Sequence, residues 1–198
     1  MGNPALAPQE RFTYGNYRTW PDEERWELID GQAWCMSPAP TRRHQGIQVE
    51  LLSALRDFLK GKPCKVYGAP FDILLPNRNE TDDEVNTVVQ PDIVVYCDTS
   101  KLTEAGARGA PDLAIEILSP STSKKDQNEK FDLYQRHGVR EYWVVDPAGS
   151  WLCVYRRGEN GSFDSGAMRE KGRDWSAIES IALPGFAVDP EELFAKLD

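Results

Sequence analysis

A carboxylate set inside an apolar run constrains this chain more than any other feature. Glu116 stands within Pro111-Asp112-Leu113-Ala114-Ile115-Glu116-Ile117-Leu118, a stretch that otherwise reads as a buried strand. An ionised carboxylate buried there without a partner would neutralise or unsettle the fold, so it calls for a cation or hydrogen-bond donors beside it. A bound metal is one such cation. A second acid leads the preceding apolar run, where Gln90-Pro91-Asp92 opens onto Ile93-Val94-Val95-Tyr96-Cys97. Beyond Glu116, Pro120 stops the strand, Ser121 or Ser123 caps a charged helix, and Gly138 ends it. A further strand, Glu141-Tyr142-Trp143-Val144-Val145, closes at Asp146-Pro147.

The rest of the chain supplies what covers these strands. Trp20-Pro21-Asp22-Glu23-Glu24 reads as a short helical turn. Apolar runs on either side of Asp30-Gly31 predict a two-residue hairpin, because both turn positions favour positive φ. Ser37-Pro38-Ala39-Pro40 breaks that sheet. Thr41 can then cap a helix over residues 42–59, where Ile47, Leu51, Leu52, Leu55, Phe58 and Leu59 recur at helical spacing. Residues 65–75 turn strand-like and carry Asp72 inside an apolar run, 78–86 read as an exposed hairpin-like loop, and 99–110 as a connection with a helical turn. Residues 151–156 and 163–169 suggest a peripheral hairpin, and a short helix is expected over 190–196. The order is a hairpin, then helix, three strands, helix and strand, with β additions at the end. That is an α/β (α+β) mixed sheet with helices against it, and residues 1–198 are expected to form a single domain.

Composition narrows the functional classes. Forty per cent apolar residues and six tryptophans suit a folded globule. No apolar run is long enough to span a bilayer and residues 1–8 lack the pattern of a secretory signal, so a soluble, cytoplasmic protein is expected. Cys35, Cys64, Cys97 and Cys153 form no C-x-x-C pair and read as reduced and mostly buried. His44 and His137 are the only histidines and make no zinc motif, and no G-x-S-x-G marks a serine hydrolase. A net charge of −9 opposes non-specific attraction to nucleic acid, yet enzymes that cut nucleic acid concentrate carboxylates to hold metal. Local basic groups stand at Arg42-Arg43, around Lys60, Lys62 and Lys65, and at Lys124-Lys125.

Several of these motifs together resemble the Uma-two family of restriction-endonuclease-like proteins. The resemblance is carried by Pro91-Asp92, by Glu116-Ile117-Leu118-Ser119-Pro120-Ser121, by residues 130–134, and by Glu141-Tyr142-Trp143-Val144-Val145-Asp146-Pro147. Upstream it includes Glu27-Leu28-Ile29-Asp30-Gly31, Met36-Ser37-Pro38, His44 and Pro70-Phe71-Asp72, and downstream Leu183-Pro184-Gly185. That family is similar to the PD-(D/E)xK nuclease superfamily, whose helix, three strands, helix and strand agree with the order above. The resemblance implies a restriction-endonuclease-like core and a metal-dependent endonuclease that hydrolyses DNA phosphodiester bonds and leaves a 5′-phosphate.

One departure from the superfamily pattern matters. Leu118 stands where the lysine two residues after the acid is expected, so a lysine must come from elsewhere. Asp126, Lys130 and Tyr134 share one face of the second helix, which makes Lys130 the candidate and Lys124 and Lys125 the runners-up. The expected site then has Asp92 and Glu116 as ligands of Mg²⁺ or Mn²⁺, with the Ile117 carbonyl as a further ligand and Lys130 orienting a water. Asp72 could bind a second metal or hold Lys130, and His44 could touch phosphate or position an acid. The rival reading is a catalytically degenerate nuclease-fold module that binds nucleic acid or protein. DNA is the expected partner, and a homodimer that would cut both strands is left open.

Overall fold

The computed structural model describes residues 10–21, 23–36, 39–119 and 125–197. Ser121, Ser123 and Lys124 lie outside these, as do the side chains of Lys125 and Asp126. The first element is a single helical turn, α1 (Tyr14–Tyr17). No helix stands among the described residues of the segment 20–24, where Asp22 lies outside them and Glu24 N–H donates to the Pro21 carbonyl at 3.2 Å. Pro21 disfavours helical backbone at Trp20, whereas Asn16 Oδ1 accepts from Thr13 N–H at 2.9 Å and closes the earlier turn.

Strands β1 (Trp26–Ile29) and β2 (Gln32–Cys35) pair antiparallel across Asp30 and Gly31, whose φ angles of 50° and 80° are the left-handed values the Asp-Gly connection requires. Helix α2 (Arg42–Phe58) follows, capped by Thr41, whose Oγ1 accepts from His44 N–H at 3.2 Å. Next come β3 (Lys65–Gly68), β4 (Asp72–Leu74), β5 (Val88–Val89), β6 (Ile93–Tyr96), β7 (Leu102–Thr103), β8 (Gly106–Arg108) and β9 (Leu113–Ile117). Helix α3 (Lys125–His137) ends at Gly138, with φ 88°, and leads to β10 (Glu141–Asp146). The chain finishes with β11 (Trp151–Arg156), β12 (Ala167–Glu170), β13 (Ile178–Glu179), β14 (Ala187–Val188) and α4 (Pro190–Ala195).

Two six-stranded sheets result. One runs β12-β11-β10-β9-β6-β3, and in chain order α2, β3, β6, β9, α3 and β10 are the helix, three strands, helix and strand read from the sequence. The other runs β2-β1-β5-β4-β8-β7 and joins the N-terminal hairpin to strands inserted between those of the first sheet. Residues 99–110, expected as a connection, thus contribute β7 and β8. Strands of two or three residues are too short to show a period-2 pattern. Gly106 is what admits β8 beside β4, because a Cβ there would stand 2.1 Å from the Asp72 carbonyl oxygen. The terminal hairpin forms, but its second strand begins at Ala167 because Asp164 Oδ1 accepts from Arg156 and Gly166 N–H and turns the chain first.

Alternation along the first sheet sorts its side chains between two layers. Ile93, Val95, Leu113, Ile115, Trp143 and Val145 pack with Ile47, Leu51 and Leu55 of α2. Val94, Tyr96, Ala114, Tyr142 and Val144 pack on the opposite face with Leu133 and Tyr134 of α3 and with Ile73, Leu75 and Val89 from the second sheet region. Side chains buried this way contribute roughly 1.5–3 kcal/mol each. Glu116 belongs to the even-numbered set and so faces α3.

The cysteine expectation is corrected. Cys64 and Cys97 form a disulfide, while Cys35 is free and exposed and Cys153 is free and buried. The cause is register: Lys65 pairs with Tyr96 in the antiparallel β3–β6 ladder, so the next residues outward, 64 and 97, stand opposite each other. Spacing along the chain gives no hint of that. Among the described residues, no helix is long and apolar enough to cross a membrane.

Candidate active site

Register brings the two leading acids together. Ile93 pairs with Ile115 in the antiparallel β6–β9 ladder, so one step outward Asp92 stands opposite Glu116, whose side chain is the one that meets α3. Asp92 Oδ2 accepts from Ile117 N–H at 2.7 Å, and its main-chain oxygen accepts from Gln48 Nε2 at 3.0 Å. His44, held in the first turn of α2, puts Nε2 3.3 Å from Asp92 Oδ2. Burial works to lower the His44 pKa, and the Asp92 and Glu116 carboxylates with the Ile117 backbone together outweigh it and hold the imidazole above its ordinary value.

Lys130 reaches the acids from α3. Its Nζ lies 2.8 Å from Glu116 Oε1 and 3.0 Å from Glu27 Oε1, and only 7% of the residue is exposed. One turn on, Tyr134 donates its hydroxyl to the same Glu116 Oε1 at 2.6 Å. Burial raises the Glu116 carboxyl to about 7, with Lys130 pulling it down and Asp92 and Glu27 pushing it further up. Burial works against the Lys130 ammonium, but Glu116 and Glu27 more than offset it and hold its pKa well above the usual value. The amine therefore stays protonated, a donor and a counter-charge rather than a base.

Glu27 is the site residue that sequence reasoning missed. In the sequence it stands only within a family motif, although an acid between Trp26 and Leu28 of an apolar strand is the same signal that marks Glu116. Its Oε1 also accepts from Gln90 N–H at 2.8 Å. Helical spacing puts Tyr134 on the face of Lys130, and its hydroxyl bond to Glu116 appears only in the folded chain.

Asp72 stands apart, which corrects the expectation that it could hold Lys130. It lies on β4, where Oδ1 accepts from Gln90 Nε2 at 2.7 Å and from Tyr17 hydroxyl at 3.0 Å. Burial is the main reason its pKa is raised. Glu27, one link along through Gln90, occupies the position beside the lysine. A different buried acid shows what a structural carboxylate looks like here: Glu141 accepts from Trp143 Nε1, Ser180 Oγ and Ala182 N–H, all neutral donors.

The donor set of Asp92 and Glu116 suits a hard divalent cation. Glu116 Oε1 is engaged by Lys130 and Tyr134, while no hydrogen bond from a described residue reaches Oε2. The Asp92 and Glu116 side chains keep 19% and 13% exposure, enough for a small ion or a phosphate oxygen to approach. Among the described residues, no three His, Cys, Asp or Glu side chains gather into a metal-holding cluster. A cation between these acids would thus take two carboxylates and complete its shell with water, main-chain carbonyl or phosphate oxygens, the habit of Mg²⁺ rather than of zinc.

Comparison with known proteins identifies related sequences and a related fold. A protein of Synechocystis sp., named only as uncharacterized, is 28% identical over 189 residues, covering 94% of this chain and 90% of that protein. The crystal structure of "a putative nuclease belonging to DUF820" from Anabaena variabilis is similar with a TM-score of 0.74 at 21% identity, covering 94% of this chain and 99% of that one. At that identity the likeness speaks for the fold. Residues 15–191 match the Uma2 family, described as "Putative restriction endonuclease", and with that match spanning nearly the whole chain the protein belongs to the Uma2 family.

Proposed function

We propose that this protein is a Mg²⁺- or Mn²⁺-dependent endonuclease that hydrolyses phosphodiester bonds of DNA and leaves a 5′-phosphate. The observation that carries the reading is the convergence of Asp92, Glu116 and Lys130, from two paired strands and the helix packed on them. In this reading Asp92 and Glu116 hold the cation. In an extended strand a residue's N–H and C=O point to the same side, so Ile117, whose N–H is directed at Asp92, turns its carbonyl to the same edge as a further ligand. When bound, the cation would polarise a phosphate and make a water a stronger nucleophile.

The chain's own groups do the rest. Lys130, fixed in its charged form, donates to the attacking water or a phosphoryl oxygen and offsets charge that develops there. His44 keeps the Asp92 carboxylate oriented, and Tyr134 does the same for Glu116. Asp72 lies one hydrogen-bonded link beyond, in reach of a more distant part of the substrate or of a second cation. Two copies acting together would cut both strands of a duplex.

The test is nicking of supercoiled plasmid and of single-stranded DNA with Mg²⁺ or Mn²⁺, beside calorimetric metal titration. Wild type should bind the metal and cleave, and Asp92→Asn and Glu116→Gln should lose both. Metal binding without cleavage of any DNA would overturn the reading in favour of a degenerate binding module.

A further inference from the structure

Lys130 has a problem that a strand lysine does not. A lysine two residues past the acid on β9 would have its place set by the sheet, whereas this one is presented by a helix at the end of four flexible carbons. An attraction to Glu116 alone would leave the ammonium free to swing around that carboxylate. The second contact comes from the other sheet. Glu27 Oε1, 3.0 Å from Nζ, belongs to β1, which is paired on one side with β2 and on the other with β5. Glu27 is 5% exposed, and its Oε1 is itself pinned by the N–H of Gln90, two residues before Asp92.

We propose that Glu27 is the positioning residue for Lys130, setting where the ammonium stands relative to Asp92 and Glu116. The inference deepens the endonuclease reading and rests on Lys130 being its lysine. Among the described residues, the two acids take two of the three ammonium donors, which leaves the third for a water or a phosphoryl oxygen. One carboxylate oxygen thereby ties the lysine to the segment that carries Asp92. A salt bridge serving stability alone would gain little from a second acid so close to two others, because each added negative charge opposes the rest.

A double-mutant cycle with an activity-independent arm tests this. Glu27→Ala should lower kcat for DNA nicking by about ten- to a hundredfold, the range for lost positioning partners, with KM unchanged. Glu27→Gln should recover part of that, because its amide oxygen still accepts from Gln90 and Lys130. In a Lys130→Ala background Glu27→Ala should cost nothing further. In metal-free protein, acetylation of Lys130 by acetic anhydride, read by mass spectrometry, should be faster in Glu27→Ala than in wild type. If Glu27→Ala does not fold, Glu27→Gln carries both arms and should show smaller changes in the same directions. The proposal is overturned if Lys130 labelling is unchanged, or if loss of Glu27 costs the same factor with and without Lys130. Should wild type cleave no DNA, the endonuclease reading fails while the labelling arm still decides the clamp.

Discussion

Lys130 Nζ lies 2.8 Å from Glu116 Oε1, across 14 positions of sequence, in a chain whose strand position two residues after that acid is Leu118. Leu118 donates its N–H to the Val145 carbonyl at 2.8 Å and packs at the edge of the α3-facing core, so the strand keeps its pairing while the charge arrives from the helix. Lys130→Ala should therefore retain calorimetric Mg²⁺ binding and lose about 10²–10³ in kcat for DNA cleavage, the scale of a removed transition-state donor. Cleavage at the wild-type rate by Lys130→Ala, with Lys124→Ala inactive, would put the lysine on the wrong turn.

Glu141 provides the contrast. Its removal in Glu141→Ala strands the Ala182 N–H, the Trp143 Nε1 and the Ser180 hydroxyl in the core. Denaturant unfolding should show a loss of about 3 kcal/mol, from buried donors left unpaired. Metal binding by the folded variant should be unchanged, since the side-chain hydrogen bonds of Glu141 go to Trp143, Ser180 and Ala182 and not to Asp92, Lys130 or Tyr134. A changed metal affinity would mean that the two buried acids are coupled through β10.

His137 sets a pH dependence. Burial, helped by Arg136, holds its pKa below the ordinary 6.5, and its Nε2 is buried without a hydrogen-bond partner among the described residues. The unfolded chain binds that proton more readily, so the stability contribution is full above 6.5 and is lost as pH falls through and below that value. Compared with His137→Gln, wild-type stability should drop more steeply on acidification from neutral pH, as measured by chemical unfolding at a series of pH values. Parallel curves would show that the imidazole is not held neutral.

Nucleic-acid affinity should be weak and salt-sensitive. With a net charge of −9 the chain attracts phosphate only through local basic groups, so binding of a short duplex should fall steeply with added salt. Fluorescence anisotropy across a salt series measures this, and an affinity independent of salt would remove phosphate contacts from the account.

What the sequence determined by itself were the features that local chemistry controls. Asp30-Gly31 sets a hairpin because its backbone preferences need no distant partner. The apolar spacing of Ile47, Leu51 and Leu55 makes α2, and the apolar setting of Glu116 marks a carboxylate that needs company. The helical position of Lys130 and the order of the main strands were legible for the same reason: they rest on periodicities a few residues long. Tertiary structure decided the partners. Glu27 meets Lys130, Cys64 meets Cys97, and Asp72 turns to Tyr17 and Gln90 because sheet register and the packing of one sheet against another join residues far apart in the chain. A one-residue shift of register would exchange every inward and outward side chain, and nothing local to either strand encodes which neighbour it will find.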